Sequence, residues 1–144
     1  MSSGSAVAVV LDANILIRAV LGRRVRELIQ AHAETAQFFA PDIAYEDARK
    51  YLPGLLSKRG VDPAPAMQVL DAMERIVRPI GADVYGNLEQ QALRRIEMRD
   101  ADDWPVLACA IALACPVWTE DADFFGTGVA TWTTDRIGLY LTGA

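Results

Sequence analysis

Histidine is nearly absent: the chain carries a single one, His32. No HExxH motif, His-rich zinc site or two-histidine iron site can be built from it. A Ser-His-Asp triad would have to use His32, which lies in an Ala/Glu-rich segment with nothing arranged around it. It reads as a surface helix residue. Cysteine is scarce too. Cys109 and Cys115 form neither a disulfide framework nor a zinc motif, and read as small core hydrophobes. Long apolar runs are missing: Ala6 to Leu11 is too short to span a bilayer, and no basic segment precedes it as in a secretory signal. The expected location is therefore cytoplasmic, with Met1 to Ser5 a flexible leader. No GxGxxG and no GxxxxGKS/T occurs, which removes dinucleotide and P-loop readings.

What is present is a core. The 144 residues are 52% hydrophobic, too apolar for a disordered chain and enough for one well-buried domain. Net charge is −5 and uneven. Residues 1–60 hold eight Lys/Arg against six Asp/Glu, whereas residues 61–144 hold six against thirteen. A protein that binds nucleic acid by its own charge should be basic. Binding here needs another source of positive charge, and a bound metal is the obvious candidate.

The run Ala6 to Leu11 has the pattern of a strand buried on both faces. Asn14 to Leu21 reads as a helix ended by Gly22, and Val25 to Ala33 as a second. Gln37 to Ala40 is strand two. Pro41 and Asp42 open a helix through Leu52, kinked or interrupted by Pro53 and ended by Gly60. Asp62 and Pro63 cap a helix to about Ile76. Val77 to Ile80 is a strand whose Pro79 suits an edge. An amphipathic helix follows over Tyr85 to Met98, then another from Asp103 through Ala114. Pro116 to Thr119 and Val129 to Thr133 are the last strands, before a short closing helix. The alternation predicts an α/β/α sandwich: one mainly parallel five-stranded sheet with helices on both faces. Ligands of such sheets bind beyond the carboxyl ends of the strands.

Acids occupy those ends. Asp12 follows strand one; Glu46 and Asp47 lie one turn inside the helix after strand two. Asp102 and Asp103 precede the helix leading into strand four, which runs out into Thr119-Glu120-Asp121-Ala122-Asp123-Phe124. No lysine follows Lys58, and only Arg99 lies near the C-terminal acids in sequence. Two carboxylates about 4 Å apart repel by about 4 kcal/mol at an effective dielectric near 20. Four together need a cation or raised pKa values. An oxygen-only cluster suits Mg²⁺ or Mn²⁺, and such an ion suits phosphodiester hydrolysis. Singly, these residues have plainer readings: loop opener for Asp12, helix caps for Asp102 and Asp103, turn residues for Asp121 and Asp123, solvated helix surface for Glu46 and Asp47. Trp104, Trp118 and Trp132 read as packing residues rather than stacking platforms for bases.

Three stretches together resemble the PIN-domain family of VapC-like and PilT N-terminus-type ribonucleases. Val10-Leu11-Asp12-Ala13-Asn14-Ile15-Leu16 is similar to its first motif. Asp103-Trp104-Pro105-Val106-Leu107-Ala108-Cys109-Ala110 is similar to its third, and Val117-Trp118-Thr119-Glu120-Asp121-Ala122-Asp123-Phe124 to its fourth. The resemblance implies hydrolysis of single-stranded RNA with Mg²⁺ or Mn²⁺. By position it implies Asp12, Asp103 and Asp121 as metal-site acids, Asn14 and Thr119 as residues that hold the site's shape, and Asp123 as an accessory acid. For the second acid two candidates stand: Glu46 has the family's side chain, while helical geometry slightly favours Asp47, near Ala44, Ala48 and Tyr51. The resemblance also implies a homodimer.

Rival enzymes fit less well. A phosphoreceiver domain needs a lysine after its last strand. A haloacid-dehalogenase-type phosphatase needs an acid two residues after its nucleophile, where Asn14 stands. The rival from another class is a PIN fold that binds nucleic acid or protein with little nuclease activity. Charge suggests the partners. The C-terminal acids would attract a basic segment such as an antitoxin tail. Arg18, Arg23, Arg24, Arg26, Arg49 and Lys50 are candidate contacts for RNA phosphates.

Overall fold

A computed structural model describes residues 7–96 and 100–143. The proposed leader, Ala6, Met98 and Arg99 lie outside the described residues.

Five strands form one all-parallel sheet in the order β3-β2-β1-β4-β5. They are β1 (Val7–Leu11), β2 (Ala36–Pro41), β3 (Val77–Ile80), β4 (Val117–Trp118) and β5 (Thr131–Trp132). β1 is central, which explains its unbroken apolar sequence. Val9 and Leu11 enter the core on one face and Val10 that on the other, each fully buried. Pro79 sits on edge strand β3, where its missing N–H leaves no neighbour unbonded.

One face is covered by α1 (Ala13–Leu21), α2 (Arg24–Ala31), α3 (Asp42–Lys58), α4 (Ala64–Met73) and α8 (Ile137–Leu141). The other is covered by α5 (Ala82–Tyr85), α6 (Glu89–Ile96) and α7 (Trp104–Leu113). α7 is apolar almost all round, with Val106 to Ala110 buried without a break. Cys109 and Cys115 are buried and free, so they are indeed core residues. Among the described residues no helix is long and apolar enough to cross a membrane.

Two helices differ from expectation. α3 runs unbroken from Asp42 to Lys58 with Pro53 inside it. Leu52 and Leu56, buried on either side of the proline, keep the helix on the sheet despite the lost N–H. It ends at Gly60, whose φ of +71° is the left-handed conformation glycine permits. The single amphipathic helix expected from Tyr85 is instead α5, a 3₁₀ turn over Gly86–Leu88, and α6. Gly86 weakens the helix where Tyr85 must turn into the core.

The chain builds β1, β2 and β3 outward in one direction, then returns to place β4 on the other side of β1. Connections leaving β1 and β4 therefore diverge: α1 packs on one face, while Phe124 after β4 packs on the other. The crevice between these two strand ends is the topological switch point.

Candidate active site

Asp12 forms the floor of that crevice. It is 6% exposed and caps α1, with Oδ1 accepting the Ile15 N–H at 2.9 Å. Oδ2 accepts the hydroxyl of Thr119. Burial pushes its pKa up; the two hydrogen bonds pull it down, and the Asp121 and Glu120 charges push it up again.

The segment after β4 holds its own shape. Thr119 Oγ1 also accepts the Asp121 N–H at 3.0 Å, and Asp121 Oδ1 accepts the Asp123 N–H at 2.9 Å. Asp121 thereby caps the 3₁₀ turn Ala122–Phe124, which Phe124 anchors in the core. Glu120 turns away: its Oε2 accepts the Thr134 N–H at 2.6 Å, tying this loop to the one after β5.

Asp103 enters from a third direction, at the start of α7. Its side chain caps nothing in the helix, and Oδ2 is buried without a hydrogen-bond partner. Burial, then the charges of Asp100, Asp121 and Asp12, raise its pKa to about 7. One carboxylate oxygen each from Asp100, Asp103 and Asp123 lie within 4.8 Å of one another. An unpartnered buried oxygen among oxygen-only donors fits a hard divalent cation. Asp103 is thus the shared member: its charge couples first to Asp100, then to Asp121 and Asp12, while Asp100 and Asp123 bring the carboxylate oxygens nearest to its own. Asp102 is exposed and lies outside this group.

The second-acid question turns on α3. Buried Ala44, Tyr45, Ala48, Leu52 and Leu56 set its inner face. Tyr51, which helical geometry grouped with Ala44 and Ala48, is 54% exposed. Glu46 is exposed, and its charge adds to the upward pKa shift of Tyr85, whose causes are led by burial and Asp42. Tyr85 donates to Asp42 Oδ1 at 2.5 Å and packs edge-on against Trp104, the neighbour of Asp103. Glu46, four residues after Asp42, lies on the same flank of α3, the one that meets Tyr85. Asp47 is half-buried and joins no hydrogen bond or ion pair among the described residues. Asn14 is exposed on the first turn of α1 and lines a cleft shared with α3.

Sequence reasoning passed over two acids. Asp42 was visible only as a helix opener. Asp100 had a signal: in a 3₁₀ turn residues i and i+3 eclipse, so Asp100 and Asp103 share a side.

The arginines divide. The Arg26 guanidinium lies 3.3 Å from the Ala19 carbonyl and 3.4 Å from that of Val20, satisfying the end of α1. Arg49 is engaged with Asp71 and Glu74 of α4, and its guanidinium lies over the Tyr45 ring. Both guanidinium groups are thus partly engaged within the chain. Arg18 is exposed and unpaired among the described residues; Arg23 and Arg24 make only exposed ion pairs, with Glu27 at 3.9 Å and Asp135 at 3.4 Å.

A family model described as PIN domain matches residues 10–142. The chain belongs to the PIN domain family. Among solved structures, PAE2754 from Pyrobaculum aerophilum superposes with a TM-score of 0.71 at 16% identity, covering 96% of this chain and 92% of that one. VapBC2 from Rickettsia felis, bound to a DNA fragment from its promoter, gives 0.62 at 16% identity, covering 88% and 98%. VapBC-1 from nontypeable Haemophilus influenzae gives 0.59 at 15% identity, covering 89% and 98%. At such identities the likeness concerns the fold. A search of curated protein sequences gave no significant match.

Proposed function

We propose that this PIN domain is a divalent-metal-dependent endoribonuclease that hydrolyses phosphodiester bonds of single-stranded RNA. The observation that carries this reading is the coupled group at the switch point: Asp12, Asp103 and Asp121, with one carboxylate oxygen buried and unpartnered.

Asp12, Asp103 and Asp121 would hold Mg²⁺ or Mn²⁺, with Asp123 and Asp100 beside them. When bound, such an ion supplies Lewis acidity toward a phosphodiester and lowers the pKa of water. The rest falls to the chain. Thr119 and the Ile15 N–H fix both oxygens of Asp12, so the carboxylate keeps one orientation. Burial and the neighbouring carboxylates raise the Asp103 pKa to about 7, so it would be about half protonated at neutral pH and would have to be ionised to hold a cation. Asn14, exposed two residues after Asp12, would help hold the site's shape, and Glu46 is the second acid favoured by the flank it occupies.

The same reading extends to partners. Two of the structural relatives are VapBC complexes. The counterpart here would be an antitoxin whose basic segment meets the acids, making this chain the toxin of a pair, homodimeric and cytoplasmic.

The test is cleavage of mixed single-stranded RNA by purified protein with Mn²⁺ or Mg²⁺, beside an EDTA control and Asp12→Asn. Metal-dependent cutting that disappears in the variant supports the nuclease. A folded protein that Mn²⁺ stabilises but that cuts no RNA supports a binding module instead.

A further inference from the structure

On a chain of net charge −5, two neighbouring clefts are lined by cations and by no acid, although Glu27 and Asp135 pair with Arg23 and Arg24 at their margin. Two clefts flank the exposed stripe of α1 formed by Asn14, Ile17, Arg18 and Leu21, spaced i, i+3, i+4, i+7. Ile17 belongs to the walls of both. One cleft, of about 370 Å³, is lined by Arg18, Arg23, Arg24 and Arg59, with Thr134 at its side. The other, of about 450 Å³, runs from Asn14 along α3 past Lys50, Tyr51, Gly54, Leu55 and Lys58. Neither lining contains Asp or Glu, and both lysines of the chain are here. Arg18, Lys58 and Arg59 make no ion pair among the described residues.

We infer that these two clefts form one track that carries single-stranded RNA to the acid site, which deepens the nuclease reading and rests on it. Position supports the inference: the stripe begins at Asn14, two residues after Asp12. Charge supports it too, because the cations a polyanion needs are gathered here while the carboxylates gather at the crevice. Chemistry then separates RNA from an acidic peptide. Tyr51 is 54% exposed and Leu55 37%, beside the cations, and Lys50 Nζ lies 5.7 Å from the ring centroid. An exposed ring between phosphate-binding cations is the pattern of a base-stacking platform. Arg24, Arg59 and Thr134 line the end of the track farther along α1.

Gly54 marks the floor. A Cβ built there meets nothing within 4 Å, so no packing contact requires glycine in this helix. A side chain at 54 would enter the track while leaving the core untouched.

The test is fluorescence anisotropy with a labelled single-stranded RNA of mixed sequence, in EDTA, over a range of salt. Arg18→Glu combined with Arg59→Glu should weaken binding at least tenfold and lower the slope of log Kd against log salt by about 1.4, roughly 0.7 for each phosphate no longer neutralised. Gly54→Glu should weaken binding at unchanged Tm. Arg75→Glu with Arg78→Glu, equal in charge change but on other exposed positions, should shift the Kd less than twofold. The track is overturned if the control pair weakens binding as much, if the track variants bind as wild type does, if wild type binds no RNA at low salt, or if polyglutamate displaces RNA as well as unlabelled RNA does. Cleavage with Mn²⁺ separates the two ideas. RNA cut equally well by track variants of unchanged affinity removes the track and keeps the nuclease. RNA held by the track and never cut keeps the track and removes the nuclease.

Discussion

The hydroxyl of Thr119 donates to the carboxylate of Asp12 across 107 positions of sequence. The same oxygen accepts the N–H of Asp121, so one small side chain sets the spacing between two acids that repel. Thr119→Val keeps the shape and removes both bonds. Such a loss at a buried charged acceptor should destabilise the protein by about 1–3 kcal/mol. The Asp12 pKa, already raised, should rise further, so the loss in Tm should be larger at pH 8 than at pH 5. Thr119→Ser should restore most of it. Thermal melts of the three proteins at both pH values decide this.

Asp103 gives a pH dependence whose sign follows from its shift. Its folded pKa, about 7, lies above the ordinary aspartate value of 3.8. The stability it contributes is fully present below pH 3.8 and is lost as pH rises through 7. Asp103→Asn cannot ionise and breaks no cap. In EDTA the variant should melt at the wild-type temperature near pH 4 and above it at pH 8. A variant less stable at pH 8 would show that the carboxylate is not strained there.

Divalent metal should act on the same group. At a hundredfold excess over its Kd, Mn²⁺ should stabilise the wild type by about 2.7 kcal/mol. Asp103→Asn and Asp12→Asn should respond far less. Calorimetry in two buffers should show proton release on Mn²⁺ binding to wild type near pH 6, where Asp103 is mainly protonated.

Glu46→Gln should reduce RNA cleavage by at least tenfold, and Asp47→Asn by less than twofold, because Glu46 lies four residues after Asp42 on the flank of α3 where Asp42 bonds Tyr85. Equal rates for both variants and wild type would remove α3 from the chemistry.

Away from the site, Ala114 ends α7 at φ +54°, left-handed for a residue with a Cβ. Its N–H lies 3.2 Å from the Ile111 carbonyl, and the next N–H bonds the Ala110 carbonyl at 3.1 Å, so the turn itself is sound. Ala114→Gly should raise stability by about 1 kcal/mol without affecting cleavage, as urea unfolding would measure.

The sequence was most readable where burial dictates composition. Val9 to Leu11 had to be a central strand because each residue faces an apolar layer, and Asp12 stood out by ending that run. Strand order was not readable, since periodicity assigns faces and not neighbours; only the pairing of β1 with β4 brings Thr119 to Asp12. The acids of the third and fourth stretches were visible from their place before α7 and after β4. Asp100 was legible only through its i, i+3 spacing to Asp103 in a 3₁₀ turn, and Asp42 was not, because its role depends on a tyrosine 43 residues away. Charge alone does not sort the arginines: Arg26 and Arg49 look like Arg18 in sequence, and packing shows that Arg26 bonds the end of α1 and Arg49 engages α4.

The place of β4 has a consequence for synthesis. Strand β1 finds β2 within 25 residues of its own end, but its opposite edge has no partner until Val117 emerges. At about 5–20 residues per second, translation leaves that edge open for roughly 5–20 s. Throughout this interval the nascent chain lacks Thr119, Asp121 and Asp123. The acid group of the proposed active site therefore cannot assemble until the segment through Asp123 has been synthesised.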